Sequence, residues 1–151
     1  ESLEEARRSV LALRGPLAGK PLPAALRALA RRFTSETGIR VRVRAESQRA
    51  LAPRIEAEVY RIVQEALANI RRHAGATDVV IALAQVGRRL RVTVRDNGRG
   101  FDVRKVPADR QGLVGMRERA RVLGGTLRLS SRRRKPSGTA LSATIPTEVR
   151  P

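Results

Sequence analysis

The sequence predicts an α+β fold, a two-layer sandwich in which a mixed five-stranded sheet lies under a layer of helices. Three observations predict it. Short segments alternate apolar and charged residues, as in Ile39-Arg-Val-Arg-Val-Arg44 and Leu90-Arg-Val-Thr-Val-Arg95, which is the period of a strand with one face buried. Longer segments repeat apolar residues every three or four positions, the period of an amphipathic helix. The order is helix, helix, strand, helix, two strands, helix, two strands. Hairpins mixed with crossovers suit a mixed sheet and lack the regular alternation of a doubly wound one.

Each element has its own signals. Residues 2–14 read as a helix, with Leu3, Ala6, Val10 and Leu13 forming one seam of a bundle, and Gly15-Pro16 stops it. A second helix starts near Pro23, carries Leu26, Leu29, Ala30 and Phe33 on one face, and is capped at Gly38. A strand follows over 39–45, then a polar loop over 46–53. The longest helix runs from Pro53 to about Ala74. Its apolar face is Ile55, Val59, Ile62, Val63, Ala66, Leu67 and Ile70, and Gly75 ends it. Strands 78–86 and 89–96 are joined by a tight turn at Gly87-Arg88. A Gly-rich polar loop spans 97–112, a helix covers 113–123, and Gly124-Gly125 ends it. Strands 126–131 and 139–145 close the chain around the basic loop Arg132–Gly138.

A chain of 151 residues with 41% hydrophobic content is long enough for one cored domain. Cys is absent, so disulfide and thiolate-metal chemistry have no residues to use, and the chain suits a reducing compartment. No apolar run approaches a membrane span. The chain starts at Glu1, not Met, and is expected to be a piece of a longer protein. Its net charge is +18, from 32 Lys+Arg against 14 Asp+Glu. That invites a nucleic-acid reading, but aromatics are only 2%, which leaves almost nothing to stack on bases. Many arginines alternate with apolar residues along strands and read as a solvated sheet face. No nucleic-acid partner is expected.

Two regions could carry chemistry. On the long helix, Glu65, Asn69, Arg72 and His73 share one polar stripe at the edge of the apolar face. A carboxylate, an amide, a guanidinium and an imidazole in line could hold a metal–phosphate group, with one Asn or Glu oxygen sufficing for Mg²⁺ and Arg72 meeting phosphate. The plainer reading is a polar border that helps the helix C-terminus. The second region is Asp96-Asn-Gly-Arg-Gly-Phe101. Asn-Gly alone signals a hairpin. A carboxylate at a strand end also suits a ligand amine such as that of adenine, and Gly98 and Gly100 let the backbone approach closely. Gly112-Leu-Val-Gly115-Met116 then opens a helix, a geometry suited to anions. No GxxxxGK[ST] and no strand-bound GxGxxG is present, so P-loop and Rossmann readings have no support.

These pieces occur in a telling order: E-x-x-x-N on a helix, two strands, D-x-G-x-G, G-x-x-G opening a helix, and S-G-T opening a last strand. The combination resembles the Bergerat ATP-binding fold of the GHKL superfamily, which includes histidine kinases, DNA gyrase B subunits and MutL. The segments "YRIVQEALANIRRHAGAT", "VRDNGRGFD" and "GLVGMRERARVLGGTL" resemble the catalytic ATPase domain of sensor histidine kinases of the NarX/DesK type. The resemblance implies that Asn69 holds Mg²⁺ and that Glu65 is the acid of the same motif and a second possible metal ligand. It makes Arg72 the phosphate-facing basic residue, with His73 beside it. Glu65, Asn69 and Arg72 are thus the catalytic set. Asp96 would read adenine, flanked by Gly98 and Gly100. Gly112, Leu113, Gly115 and Met116 would end the ATP lid, and Thr139 would lie near adenine. Where relatives carry a small Gly-rich turn, this chain has Arg132-Arg-Arg-Lys-Pro-Ser.

The resemblance implies a cytoplasmic domain over residues 22–147 that binds ATP·Mg²⁺, with 1–15 the tail of the second helix of a dimerisation and phosphoacceptor domain. Its partners would be that helical hairpin, and a response regulator through the whole kinase. No membrane contact is expected within this segment, and whether the parent protein is membrane-anchored stays open. Two alternatives remain: a Bergerat-fold Ser/Thr kinase of the anti-sigma type or a related ATPase, and a basic nucleic-acid-binding module.

Overall fold

A computed structural model describes residues 17–45, 50–73, 75–105 and 112–147. The expected helix over 2–14 and the 106–111 part of the expected lid lie outside them. The elements run α1 (Leu22–Thr37), β1 (Arg40–Ala45), α2 (Pro53–His73), β2 (Asp78–Val86) and β3 (Arg89–Asp96). A short 3-10 turn (Val103–Lys105), α3 (Leu113–Val122), β4 (Thr126–Arg132) and β5 (Gly138–Pro146) follow. Over the described residues the helices and strands agree in type with the sequence reading, the short 3-10 turn falls inside the expected loop, and ends shift by a residue at most. The second expected helix begins at Leu22 rather than Pro23, and the last hairpin reaches Arg132 and Gly138.

The sheet order is β1-β2-β3-β5-β4. β1 and β2 are parallel, because α2 returns the chain to the same end of the sheet between them. The other three pairings are antiparallel. After β3 the chain leaves the sheet through α3, enters at the far edge as β4, and folds back as β5 into the gap. That insertion sets Asp96, the last residue of β3, opposite Thr139 near the start of β5.

The three described helices pack on one face. The strands send Val79, Ile81 and Leu83, then Leu90, Val92 and Val94, then Leu141, Ala143 and Ile145 into that layer. Leu22 and Leu26 of α1, Ile55, Val59, Ile62 and Val63 of α2, and Met116 and Ala120 of α3 meet them. Each fully buried Leu, Ile or Val contributes about 1.5–3 kcal/mol, and period-2 and period-3.6 patterns point the two sets at one another. The alternating arginines of β1, β3 and β4 lie on the opposite, exposed face.

Contacts between helices complete the layer. Pro21 precedes α1 without a side-chain cap. Instead the Leu22 N–H donates to Glu56 Oε2 of α2 at 2.8 Å, a charge-assisted bond at the positive end of the helix dipole. Gly38 ends α1 in the left-handed conformation, its N–H returning to the Thr34 carbonyl. Arg119 of α3 pairs with Glu58 of α2 at 2.9 Å. Thus α2 holds both neighbours.

Ile62 is fully buried in the middle of α2, whereas Arg61 beside it is exposed. Ile62→Ala is expected to cost about 2–5 kcal/mol in denaturant unfolding, and Arg61→Ala within about 0.5 kcal/mol.

Candidate functional site

A cavity of about 330 Å³ opens between the helical layer and the inner face of the sheet. Val94, Leu129 and Leu141 supply its sheet side, Ala66, Asn69, Ile70 and His73 of α2 one wall, and Leu113 and Met116 of α3 another. Arg99, Gly100 and Phe101 line it from the loop after β3, and Asp96 and Thr139 complete it. The size and the mixture of apolar walls with a few polar groups are those of a small-molecule site.

Asp96 is the buried carboxylate among the described residues, 6% exposed. Its Oδ1 accepts the Gly98 N–H at 2.8 Å. Burial raises its pKa, and the backbone bonds from Gly98 and Thr139 pull the other way without cancelling it. A carboxylate placed here at that electrostatic cost faces the cavity as an acceptor.

The loop after β3 is held by the last hairpin. Phe101 N–H donates to Ser131 Oγ at 2.9 Å, and Ser131 Oγ shares a 2.7 Å bond with Thr139 Oγ1. Ser137 Oγ donates to the Gly98 carbonyl at 2.8 Å. Gly100 has φ +68°, and a Cβ there would strike the backbone carbonyl of Arg132, so the close approach requires glycine. Arg99 turns back to α2, donating from Nε at 3.0 Å and from Nη2 at 2.9 Å to the His73 carbonyl. That bond satisfies an end-of-helix acceptor.

The polar stripe of α2 forms. Arg72 Nη2 donates to Asn69 Oδ1 at 3.0 Å and lies 3.5 Å from Glu65 Oε1. The guanidinium therefore covers the amide oxygen that the sequence reading gives to a metal. His73 turns inward, and its Nε2 is buried with no hydrogen-bond partner. An orphaned buried ring nitrogen at a cavity wall has a free valence for a ligand atom.

The site residues expected from sequence divide into two groups. Asn69, His73, Asp96, Gly100, Leu113, Met116 and Thr139 line the cavity. Glu65, Arg72, Gly98, Gly112 and Gly115 stand behind or beside it. Gly98 holds the Asp96 carboxylate. Gly112 precedes α3 with φ 71°, and a Cβ there would meet the Glu65 carboxylate. A Cβ at Gly115 would meet nothing within 4 Å, so no steric need of the fold explains that glycine. Sequence reasoning missed Ala66, Ile70, Val94, Leu129 and Leu141, and it held Arg99 and Phe101 only as part of the Asp96–Phe101 stretch, without a role of their own. Ala66 and Ile70 carried a signal, since they flank Asn69 one turn apart on α2; the sheet residues carried none beyond strand alternation.

Residues 54–149 match the family of histidine kinase-, DNA gyrase B- and HSP90-like ATPases. The chain belongs to that family. This ATPase domain is 35% identical over 147 residues to the sensor histidine kinase LiaS of Bacillus subtilis strain 168, covering 97% of this chain and 40% of LiaS. It is 32% identical over 122 residues to the nitrate/nitrite sensor protein NarX of Escherichia coli K12, covering 80% of this chain and 20% of NarX. The domain thus spans less than half of each of these relatives. Among solved structures it is similar to the histidine kinase domain of the blue-light activated histidine kinase of Erythrobacter litoralis EL346. The TM-score there is 0.71 at 26% identity, with 84% of this chain and 61% of that one covered.

Two outcomes are expected of this ATPase domain. Gly100→Ala should destabilise the fold, because the left-handed backbone and the Arg132 carbonyl both oppose a Cβ; Gly115→Ala should stabilise α3 by up to about 1 kcal/mol. Chemical denaturation of both variants reads this. The second concerns pH. Below the usual carboxylate value of 3.8, Asp96 is protonated folded and unfolded. As pH rises from there through its raised folded pKa, the folded state alone keeps the proton, so this residue's contribution to stability falls. Thermal midpoints of wild type and Asp96→Asn across that window should diverge, the wild type losing ground as pH rises.

Proposed function

We propose that this domain binds ATP with Mg²⁺ and presents the γ-phosphoryl group to a histidine on the helical hairpin of the same kinase, from which a response regulator takes it. On this reading residues 22–147 are the nucleotide-binding unit, and 1–15 belong with the hairpin. Family membership supports the nucleotide, and the names of LiaS and its relatives support the kinase branch. The observation that carries the reading is Asp96. A buried carboxylate held by the backbone N–H groups of Gly98 and Thr139, at one end of a largely apolar cavity, keeps lone pairs to offer a ring amine.

The residues suit this ligand. The apolar walls, Met116 and Leu129 among them, would take a purine ring by its faces, and Asp96 would accept from its amine. Asn69 and Arg72 would then lie toward the phosphates, with the His73 Nε2 supplying the polar partner it lacks in the fold. Among the described residues no three His, Cys, Asp or Glu side chains converge as a metal cage, so a cation here draws further oxygens from phosphate and water. Asn69 Oδ1 and Glu65 would hold Mg²⁺, which when bound spreads the charge of the triphosphate oxygens. For Asn69 to serve, Arg72 must release the amide oxygen it now covers, and a phosphate oxygen is the natural alternative acceptor for its guanidinium. Catalysis is then positioning and charge neutralisation, not covalent chemistry by the domain.

Titration of a fluorescent ADP analogue with and without Mg²⁺ tests the site. Asp96→Asn should lose about tenfold or more in affinity, since an amide turned to a ring amine leaves a buried mismatch of about 1–3 kcal/mol. Asn69→Ala should keep metal-free binding and lose the Mg²⁺-dependent gain. Unchanged affinity in Asp96→Asn would remove that residue from the site. With γ-labelled ATP, label should appear on a helical hairpin supplied in trans and not on His73. Acid-labile label on His73 would overturn the assignment of the acceptor.

A further inference from the structure

The sheet face away from the helices has an unusual order. Of the residues on the five strands, the carboxylates are Asp78 and Asp96, and Asp96 points to the core. Exposed arginines occupy β1 and β3, while β2 between them carries Val80, Ala82 and Ala84 on this face. The registers align them in rows. Arg42 and Arg95 flank Val80, Arg44 and Thr93 flank Ala82, and Arg91 flanks Ala84. Strands lie about 4.8 Å apart, so the two arginine lines bound an apolar furrow about 10 Å wide. Val86, 74% exposed, stands at its end.

Folding alone does not account for this pattern. A solvated face is stabilised when opposite charges pair across strands, and among the described residues of this face only Arg40 finds such a partner, Asp78 at 3.0 Å. We infer that the β2 furrow is a docking surface for an amphipathic helix of a protein partner, with a seam of small apolar residues seated on Val80, Ala82 and Ala84 and acidic residues on both flanks paired with Arg42, Arg44, Arg91 and Arg95. The furrow matches the 10–12 Å girth of a helix. An extended peptide fits poorly, since strands at the middle of a sheet have spent their backbone groups on their neighbours and its own N–H and C=O would go unpaired; a helix satisfies its backbone internally. A phosphate backbone or lipid headgroup would set its charge over an apolar floor, which costs desolvation without return. A second copy of the face repels the first. Arginine rather than lysine favours forked pairing with carboxylates. The furrow lies across the sheet from the cavity, so the inference is independent of the nucleotide reading.

The probe is a fluorescein-labelled helical peptide of about 20 residues, roughly five to six turns, with an Ala/Leu seam and Glu on both flanks. Its comparators carry Lys for Glu or Gln for the seam, and a short DNA duplex and phosphatidylserine vesicles serve as competitors. Anisotropy at physiological salt should show binding of the acidic peptide and little of either comparator. Arg42→Glu/Arg91→Glu should weaken it about tenfold or more, because two attractions become two repulsions. Ala82→Arg adds positive charge but fills the furrow, so it should also weaken binding; simple charge attraction demands the reverse. Should Ala82→Arg fail to unfold cooperatively, the Gln-seam peptide reads the same furrow on the wild-type domain. Nucleotide binding should stay unchanged in the double variant. Tighter binding by Ala82→Arg, equal binding of the Gln-seam peptide, no peptide binding, or duplex or vesicles winning with the same variant dependence would each overturn the assignment.

Discussion

Enclosing the Asp96 carboxylate is the constraint on which the candidate site depends. It sits at the end of β3 where a core strand would ordinarily carry another aliphatic residue, and burial works against its charge. The surrounding structure limits that penalty. Gly98 folds back to donate its N–H, Thr139 faces it across the β3–β5 ladder, and Ser137 and Ser131 hold the following loop against the last hairpin. The hairpin therefore secures the loop as well as closing the sheet. A buried carboxylate kept at this cost is the mark of a group whose use lies outside stability.

Helix α2 connects that carboxylate to the rest of the molecule. One face packs on the sheet, the next turns Asn69 and His73 toward the cavity, and the border carries Glu65 and Arg72. Its N-terminal half caps α1 through Glu56 and pairs with α3 through Glu58. Its C-terminal carbonyl at His73 accepts from Arg99 of the loop after β3. The helix thus ties both sides of the cavity to one rigid element, which is how a fold keeps a few polar groups in register.

The charge of the chain has a spatial order that its total conceals. The sheet divides residues by parity: even positions of β3 enter the core and odd ones meet water. Arginines on β1 and β3 consequently collect on one surface, while the cavity on the other side is mostly apolar. A net charge of +18 is thus no guide to the chemistry of the cavity. Its consequences lie on the opposite face.

Much of this was legible in the chain. Alternation in Leu90–Arg95 and the three-four spacing from Ile55 to Ile70 specified element types, and with them which side chains enter the core, because pleat and helix pitch leave no other periodicity. Gly38 and Gly87 marked a cap and a turn, both with positive φ. The stripe of Glu65, Asn69 and Arg72 followed from helix geometry, being local to two turns. What the sequence could not state are contacts between distant segments. The Glu56 cap on α1, Leu129 and Leu141 in the cavity wall, and Arg99 on the His73 carbonyl depend on where β4 and β5 enter the sheet. By itself, then, the sequence determined the periodicities, the turns and the order of the motifs, which are properties of neighbours along the chain. Only the tertiary structure decided that Asp96 and His73 line one cavity, because it takes β5 between β3 and β4 and α2 above them to bring those residues together.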